Sequence, residues 1–150
     1  MISAGLRVLV LLGSGLTAGV LFAVALSVLP GLSLMPADRY VYAHQLIGRN
    51  WDPTMPLIVI GSIVADLVLV FLGPPRAAWS YAVGALLLVG VSVVSHFCNV
   101  PMNRGVKVLD PDRIPAGWRD PRPVWRRWHL LRTVLAFAAL ATNAAAALMT

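Results

Sequence analysis

Polar side chains that can bind a ligand gather at the ends of two apolar stretches. His96, Asn99 and Asn103 recur at i, i+3 and i+7, which places them on one face of a helix. His129 and Arg132 share a second helix face at i and i+3. Amide and guanidinium groups at the edge of apolar helices need hydrogen-bond partners, and their natural partners are one another or a polar ligand. The spacing predicts a polar site built from two helices.

The histidines of the chain offer a second kind of chemistry. His44, His96 and His129 could supply three nitrogen ligands to a metal ion and leave one position open. No two of them have the short spacing of a local metal-binding pair. A metal site with these three ligands is therefore an alternative to a site that needs no cofactor.

The composition shows what kind of fold carries these residues. Of the 150 residues, 59% are hydrophobic and 12% are charged, whereas soluble domains carry about 25% charged residues. A soluble fold of this size cannot bury so much apolar surface, so the excess must face lipid. We predict a single all-α domain over residues 1–150, an integral membrane four-helix bundle. The predicted spans are residues 6–29, 55–72, 79–99 and 129–149.

The connections between the spans follow from turn residues and from helical periodicity. Pro30 and Gly31 predict the end of the first helix, and Gly73-Pro74-Pro75 predicts a tight turn between spans two and three. Tyr40, Val41, His44 and Ile47 recur at helical spacing in a segment too polar to span. This pattern predicts a short interfacial helix between spans one and two.

The charge distribution predicts an orientation. The net charge is +6, and most basic residues fall in the connections between spans one and two and between spans three and four. The positive-inside rule then places both long connections in the cytoplasm and both termini outside. The same rule accounts for the positive charge without nucleic acid, so we expect no nucleic-acid partner.

One acidic residue lies within a span. Asp66 is inside the second apolar stretch, where a carboxylate must face the bundle and be paired or protonated. Counting at about 1.5 Å per residue places Asn143 and Thr17 near the same depth. We predict a structural polar layer at this level and keep a proton-relay role as the alternative.

Three motifs carry a resemblance to a known family. They are Val-Leu-Pro-Gly at residues 28–31, Asn-Val-Pro-Met-Asn at residues 99–103, and Trp-x-x-Trp-His-x-x-Arg-Thr at residues 125–133. With these motifs the chain resembles the anthrone oxygenase family of small four-span membrane proteins, over nearly its whole length. It departs from the family pattern at His44-Gln45 and Asn50, and at His129-Leu130, where many members have Asn-His.

The resemblance implies that the protein oxidises an anthrone-like aromatic carbon with O2. A neutral histidine is the usual base near neutral pH, so His129 or His96 is expected to remove the substrate proton. Arg132, Asn99 and Asn103 are expected to donate hydrogen bonds to the developing oxyanion. This reaction requires no cofactor.

Other side chains are expected to bind the flat substrate by stacking or by hydrogen bonds. They are Trp128, His44, Gln45, Asn50 and Trp125. The expected partners are an aromatic small molecule, O2 and the lipid bilayer, and the sequence leaves the oligomeric state open.

Two further functions stay open at this point. One is a metal-dependent membrane oxidoreductase that uses the three histidines. The other is a non-catalytic subunit that binds a lipid, a quinone or a partner enzyme, because a fold does not determine a function. Incubation with an anthrone under oxygen distinguishes a catalyst from a binding module.

Overall fold

The computed structural model describes residues 2–149, apart from the side chains at positions 2, 52 and 53. The helices, in chain order, are α1 (Ile2–Ala23), α2 (Leu29–Leu34), α3 (Ala37–Ile47), α4 (Trp51–Leu72), α5 (Pro75–Val94), α6 (Val100–Lys107) and α7 (Arg122–Leu148). Two π-helical turns, Val24–Val28 and Ser95–Asn99, join α1 to α2 and α5 to α6. The described chain is entirely helices and connections, so the predicted all-α class is confirmed.

Four continuous helical stretches of the described chain are long and apolar enough to cross a bilayer. They are Ser3–Leu34, Thr54–Leu72, Pro75–Lys107 and Arg122–Leu148. In an apolar 18-residue window of each stretch, the share of residues buried within the bundle ranges from 28% to 33%. The remaining apolar surface must face lipid. The chain is therefore a multi-pass membrane protein, and its orientation in the membrane stays a prediction.

Close packing of small residues holds the four spans together. The α5 helix packs on α4 and α7, and α1 packs on the same two helices. Ala18 on α1 packs with Leu21, Val91 and Ala136, while Ala139 and Ala146 are also fully buried on α7. Without a hydrophobic driving force between helices in lipid, such small side chains favour association because they let backbones approach.

The prediction that Pro30 and Gly31 end the first helix was wrong. The helix continues to Leu34, because the π-turn Val24–Val28 directly precedes Leu29 and Pro30. In that turn the N–H of Leu29 bonds to the carbonyl of Val24, five residues back. Proline lacks an N–H, and its ring clashes with the carbonyl four residues back in a regular α-helix. The wider turn relieves this conflict.

The third span repeats the same device. The N–H of Val100 bonds to the carbonyl of Ser95, and Pro101 follows directly. The helix therefore runs on through α6 to Lys107. Asn99 and Asn103 consequently lie on one continuous helical stretch.

The predicted interfacial helix is confirmed as α3, which contacts α2 and α6 at the end of the bundle. Its buried residues Tyr40 and Val41 pack with Leu32 of α2 and Val106 of α6. The Nε2 atom of Gln45 donates to the carbonyls of Val106, Lys107 and Leu109, at 3.2, 3.4 and 2.8 Å. Gln45 therefore fastens α3 to the end of α6.

Candidate functional site

A chain of hydrogen bonds joins three spans at the bundle end that α3 covers. Arg132 of α7 donates from Nε and Nη2 to Nδ1 of His129, at 3.2 and 2.9 Å, and from Nη1 to Ser95 Oγ, at 3.1 Å. Ser95 Oγ in turn donates to the carbonyl of Val91, at 2.7 Å. The Nε2 atom of His129 lies 2.9 Å from the carbonyl oxygen of Leu21 on α1. The guanidinium thus bridges a histidine on its own helix and a hydroxyl on the neighbouring span.

Trp125 joins the same side chains to the two asparagines. Its indole ring stacks on the His129 imidazole, with centroids 4.9 Å apart and planes 9° from parallel. Its Nε1 donates to Asn103 Oδ1, at 2.8 Å, and its backbone carbonyl accepts from Asn99 Nδ2, at 3.2 Å. The Arg132 guanidinium lies 5.9 Å from the Trp125 ring centroid. Six residues therefore form the helix-end cluster: Ser95, Asn99, Asn103, Trp125, His129 and Arg132.

Local structure explains how the polar residues of both spans meet. His129 and Arg132 are three residues apart on α7, so their side chains lie on one face. On the third span the π-turn brings Ser95 into line with Asn99 and Asn103, at steps of four residues. A π-turn holds more residues per turn than an α-helix, so steps of four stay on one side more closely than steps of three.

The hydrogen bonds assign the state of the His129 ring. Nδ1 faces two N–H groups of Arg132, so it must be an acceptor. Nε2 faces a carbonyl oxygen, so it must carry the proton and donate. His129 is fully buried, and both of its ring nitrogens are engaged. The imidazole is therefore neutral and holds the guanidinium in place.

Arg132 has no carboxylate partner among the described residues. Its contacts are a neutral imidazole, a hydroxyl and an indole face. Of its five N–H groups, three take part in these hydrogen bonds. A partly buried guanidinium without a counter-ion is unfavourable in an apolar setting. The remaining N–H groups can donate hydrogen bonds to an anionic oxygen.

Asn99 differs from the role that the sequence suggested. Its Nδ2 donates to the Trp125 carbonyl, and its Oδ1 is buried with no hydrogen-bond partner among the described residues. Asn103 accepts from Trp125 through Oδ1. In this arrangement both amides hold Trp125 and the start of α7 in position, and neither is free to donate to an oxyanion through these contacts.

Several predicted site residues lie outside the cluster. His96 is exposed, with its ring 5.1 Å from that of its neighbour Phe97. Asn50 is exposed next to α4, where its carbonyl accepts from Thr54. Trp128 is 38% exposed, on the outer side of α7. Gln45 serves the α3–α6 contact described above.

His44 lies on α3 and is buried on the side of that helix near Trp125 of the cluster. It is buried, with its ring 5.5 Å from Tyr40 and 6.4 Å from Trp125. A cavity of about 10 Å³ lies beside it, next to Tyr40, Arg122 and Trp125. That volume suits about one water molecule.

The predicted metal site of three histidines does not form. Among the described residues, no three His, Cys, Asp or Glu side chains are grouped so that they could hold a metal ion. The reason is orientation, because His96 points outward beside Phe97 while both nitrogens of His129 are engaged within the bundle. His44, His96 and His129 therefore do not converge.

A second arginine near the site has the counter-ion that Arg132 lacks. Arg122 pairs with Asp120 at 2.7 Å and donates to the carbonyls of Leu32 and Met35, at 2.8 and 2.6 Å. Burial, reinforced by the Asp120 charge, raises the pKa of the adjacent Tyr40 to about 12. Burial opposes ionisation of Asp120, yet hydrogen bonds from Arg122 outweigh it and lower the pKa of that carboxyl. Arg122 therefore fixes α2 to the start of α7.

Sequence reasoning missed Ser95 as a site residue and did not predict the contacts of Arg122 with Tyr40, Leu32 and Met35. Ser95 was detectable as part of a four-residue step with Asn99 and Asn103, but only if the third helix was known to widen there. The bonds from Arg122 to Leu32 and Met35 leave no local signal, because they join residues far apart in the chain.

An apolar groove elsewhere on the structure does not coincide with the cluster. It holds about 610 Å³ and runs along the outer side of α1, with Ile47 and Trp51 at one end. Its walls are apolar and open, as on a surface that faces lipid. It contains none of the helix-end cluster, so it does not mark the chemical site.

A family model for anthrone oxygenase matches residues 44–142. The match runs from α3 through most of α7 and includes every residue of the helix-end cluster. No curated protein and no solved structure matches the chain.

Proposed function

The chain belongs to the anthrone oxygenase family, and on that basis we propose that it is a membrane oxygenase with Arg132 at its reactive centre. The proposed substrate is an electron-rich aromatic compound whose ring carbonyl stands opposite an acidic methylene, as in an anthrone. The proposed products are the quinone and water.

The observation that carries this proposal is the uncompensated charge of Arg132. The guanidinium is held rigidly by His129 and Ser95 and has unused N–H groups. Removal of a proton from the substrate methylene delocalises negative charge onto the carbonyl oxygen. Preorganised donors aimed at a developing oxyanion are often the largest single contribution to catalysis. Arg132 therefore stabilises a negative charge that the substrate carries only after deprotonation.

The chemistry balances without further reagents. A base takes one proton from the methylene, and the anion passes an electron to O2. Recombination at the same carbon gives a peroxide anion, which takes the proton back from the base. The resulting hydroperoxide loses water to leave a carbonyl. One CH2 group and one O2 thus become one C=O group and one H2O. No cofactor is needed in this route, because the substrate anion is itself the reductant.

We assign the base to His129, acting through Nδ1. That nitrogen accepts from Nε and Nη2 of Arg132 in the present arrangement, so it becomes available when the substrate oxygen takes over these hydrogen bonds while Ser95 holds the guanidinium in place. The Nε2–H bond to Leu21 holds the ring throughout. His96 is the alternative base, and it would require the substrate to approach from the outside of the third span.

Aromatic side chains provide the binding surface. Trp125 is fixed by stacking on His129 and by its bond to Asn103. Trp128, one helix turn further on, is partly exposed toward the surroundings of α7. A flat aromatic substrate can stack on these tryptophan rings. An apolar substrate also concentrates in lipid. We therefore propose that the substrate reaches Arg132 from the membrane side of α7.

The test is turnover of an anthrone by purified protein in lipid nanodiscs. Quinone absorbance and oxygen consumption are followed together, against a boiled control. Arg132→Ala should lower turnover about 10²- to 10³-fold, the range for loss of an oxyanion donor. Arg127→Ala is the matched control, because Arg127 is an exposed arginine on the same helix, and its turnover should equal wild type.

Two results contradict the proposal. Wild-type turnover in Arg132→Ala removes Arg132 from the mechanism. Absence of turnover in the folded wild-type protein, together with Arg132-dependent binding of an acidic lipid, assigns the cluster to a non-catalytic binding module instead.

A further inference from the structure

A second polar group lies in the half of the bundle farthest from the helix-end cluster. Asp66 on α4 and Asn143 on α7 are both fully buried, and Asn143 Nδ2 donates to Asp66 Oδ2, at 3.3 Å. Asn143 is fourteen residues from His129, about 21 Å along α7 at 1.5 Å per residue. The predicted contact between Asp66 and Asn143 is confirmed. Thr17, predicted to join them, instead donates to the carbonyl of Gly13 in its own helix.

The pair leaves one oxygen of each side chain without a partner. Asp66 Oδ1 and Asn143 Oδ1 are buried and accept no hydrogen bond within the described structure. An ionised carboxylate and a carboxamide oxygen are both acceptors, so neither can satisfy the other. A buried acceptor left without a hydrogen bond is unfavourable for the folded state. Two such atoms in one contacting pair call for a common explanation.

We propose that Asp66 binds a proton at this position and is held as a carboxylic acid paired with Asn143. The O–H of Asp66 Oδ1 donates to Asn143 Oδ1 while Asn143 Nδ2 donates to Asp66 Oδ2. One proton then satisfies both unpartnered oxygens and closes a cyclic pair with two hydrogen bonds. It also removes a negative charge from the apolar interior.

Among the described residues, the charged and titratable groups near the pair include no cation that is bonded to Asp66. On α5 the titratable neighbour is Tyr81, which is fully buried and whose hydroxyl has no hydrogen-bond partner. On α1 the charged neighbour is Arg7, which acts on Tyr81 electrostatically and whose Nε donates to the carbonyl of Ser3. On α7 the neighbour of Asp66 is Asn143, which does not titrate. No described basic group forms an ion pair with Asp66.

The walls of this site are closely fitted. A Cβ atom added at Gly84 of α5 would overlap the carboxamide of Asn143. The amide therefore rests directly on the α5 backbone and is held against Asp66. This restricted geometry favours a proton as the ligand over a larger ion.

Infrared spectroscopy of the full chain in nanodiscs tests the proposal. The chain contains Asp but no Glu, and Asp66 is the acidic residue inside the four spans. At neutral pH the wild-type protein should show the C=O stretch of a protonated carboxyl, displaced by deuterium and by ¹³C-aspartate labelling. Asp66→Asn should abolish the band, and Asp38→Asn, which changes an exposed carboxyl, should leave it.

Asn143→Leu provides a second reading that does not depend on Asp66→Asn folding. Loss of the amide acceptor should move the carboxyl band to higher frequency, as expected for a weaker hydrogen bond. Absence of a protonated-carboxyl band at neutral pH overturns the proposal. So does a thermal stabilisation by sodium chloride over choline chloride that Asp66→Asn removes, because a sodium ion is then the ligand. Neither result depends on turnover, so this proposal and the proposed function fail separately.

Discussion

The two ends of the bundle solve the problem of a charged group in an apolar setting in opposite ways. At one end the helix-end cluster holds a cation, Arg132, with neutral partners and no carboxylate in the described structure. At the other end Asp66 is an acid with a neutral partner and no cation. Arg132 and Asp66 lie too far apart along the bundle to pair with each other.

The difference lies in access. Arg132 is partly exposed at the boundary, so an anionic ligand can reach it from outside. Asp66 is fully buried behind close-packed small residues, so a proton is the ligand that fits. A site that must bind and release a molecule leaves its charge open, whereas a site that must hold four helices in lipid removes the charge.

The sharpest way to break this comparison is to remove the histidine that holds Arg132. His129→Ala leaves the Leu21 carbonyl and the guanidinium without their shared partner. We expect turnover to fall about 10²-fold or more, because the donor is no longer preorganised. We also expect a loss of about 1–3 kcal/mol of stability from the unsatisfied buried groups.

His96→Ala is the matched control for His129→Ala. His96 is exposed, so its removal should change the free energy of unfolding by less than about 0.5 kcal/mol and leave turnover near wild type. Turnover assays and thermal unfolding in detergent measure both effects. A larger loss of turnover in His96→Ala than in His129→Ala would transfer the base to His96.

The polar layer is tested by crowding it rather than by removing it. Gly84→Ala adds a methyl group where the Asn143 carboxamide now lies, so the amide must move away from Asp66. We expect a destabilisation of about 1–3 kcal/mol, as for other overpacked interiors. Gly61→Ala on α4 has open space around the added carbon and should be neutral or slightly stabilising. Equal unfolding temperatures for the two variants would contradict the fitted contact at Gly84.

The smallest effect is expected at the arginine that already has its counter-ion. Asp120 has a lowered pKa and is partly exposed beside Arg122. Its contribution to stability is present above the ordinary carboxyl pKa and is lost as pH falls through the lowered value. Asp120→Asn should therefore cost less than about 1 kcal/mol at neutral pH. The difference from wild type should vanish in strong acid, as followed by unfolding against pH.

Much of the fold follows from the sequence because lipid imposes simple rules. Hydropathy predicted the four apolar stretches, and helix-breaking residues predicted the turn at Gly73–Pro75. Helical periodicity predicted the α3 helix. The meeting of Asp66 with Asn143 followed from counting residues along two helices that run in the same direction. These features depend on local pattern and on length.

The details of the cluster were less predictable because they depend on how the helices widen. A regular period of 3.6 residues placed His96 on the same face as Asn99 and Asn103, whereas the π-turn places Ser95 there and turns His96 outward. Proline at position 30 suggested a helix end, although that helix continues to Leu34, and the third span likewise continues past Pro101. A helical period of 3.6 residues does not report such a turn, even though a proline follows each one.

The paired π-turns have a consequence for how the helices are phased. Each turn behaves as a one-residue insertion, and one residue of an α-helix corresponds to about 100° of rotation. The part of a span beyond the turn therefore faces a direction that a straight helix with the same sequence would not reach. Deep in the membrane the spans keep the phase that packs small residues together. At the boundary they take a second phase, which carries Asn99 and Asn103 around to meet α7.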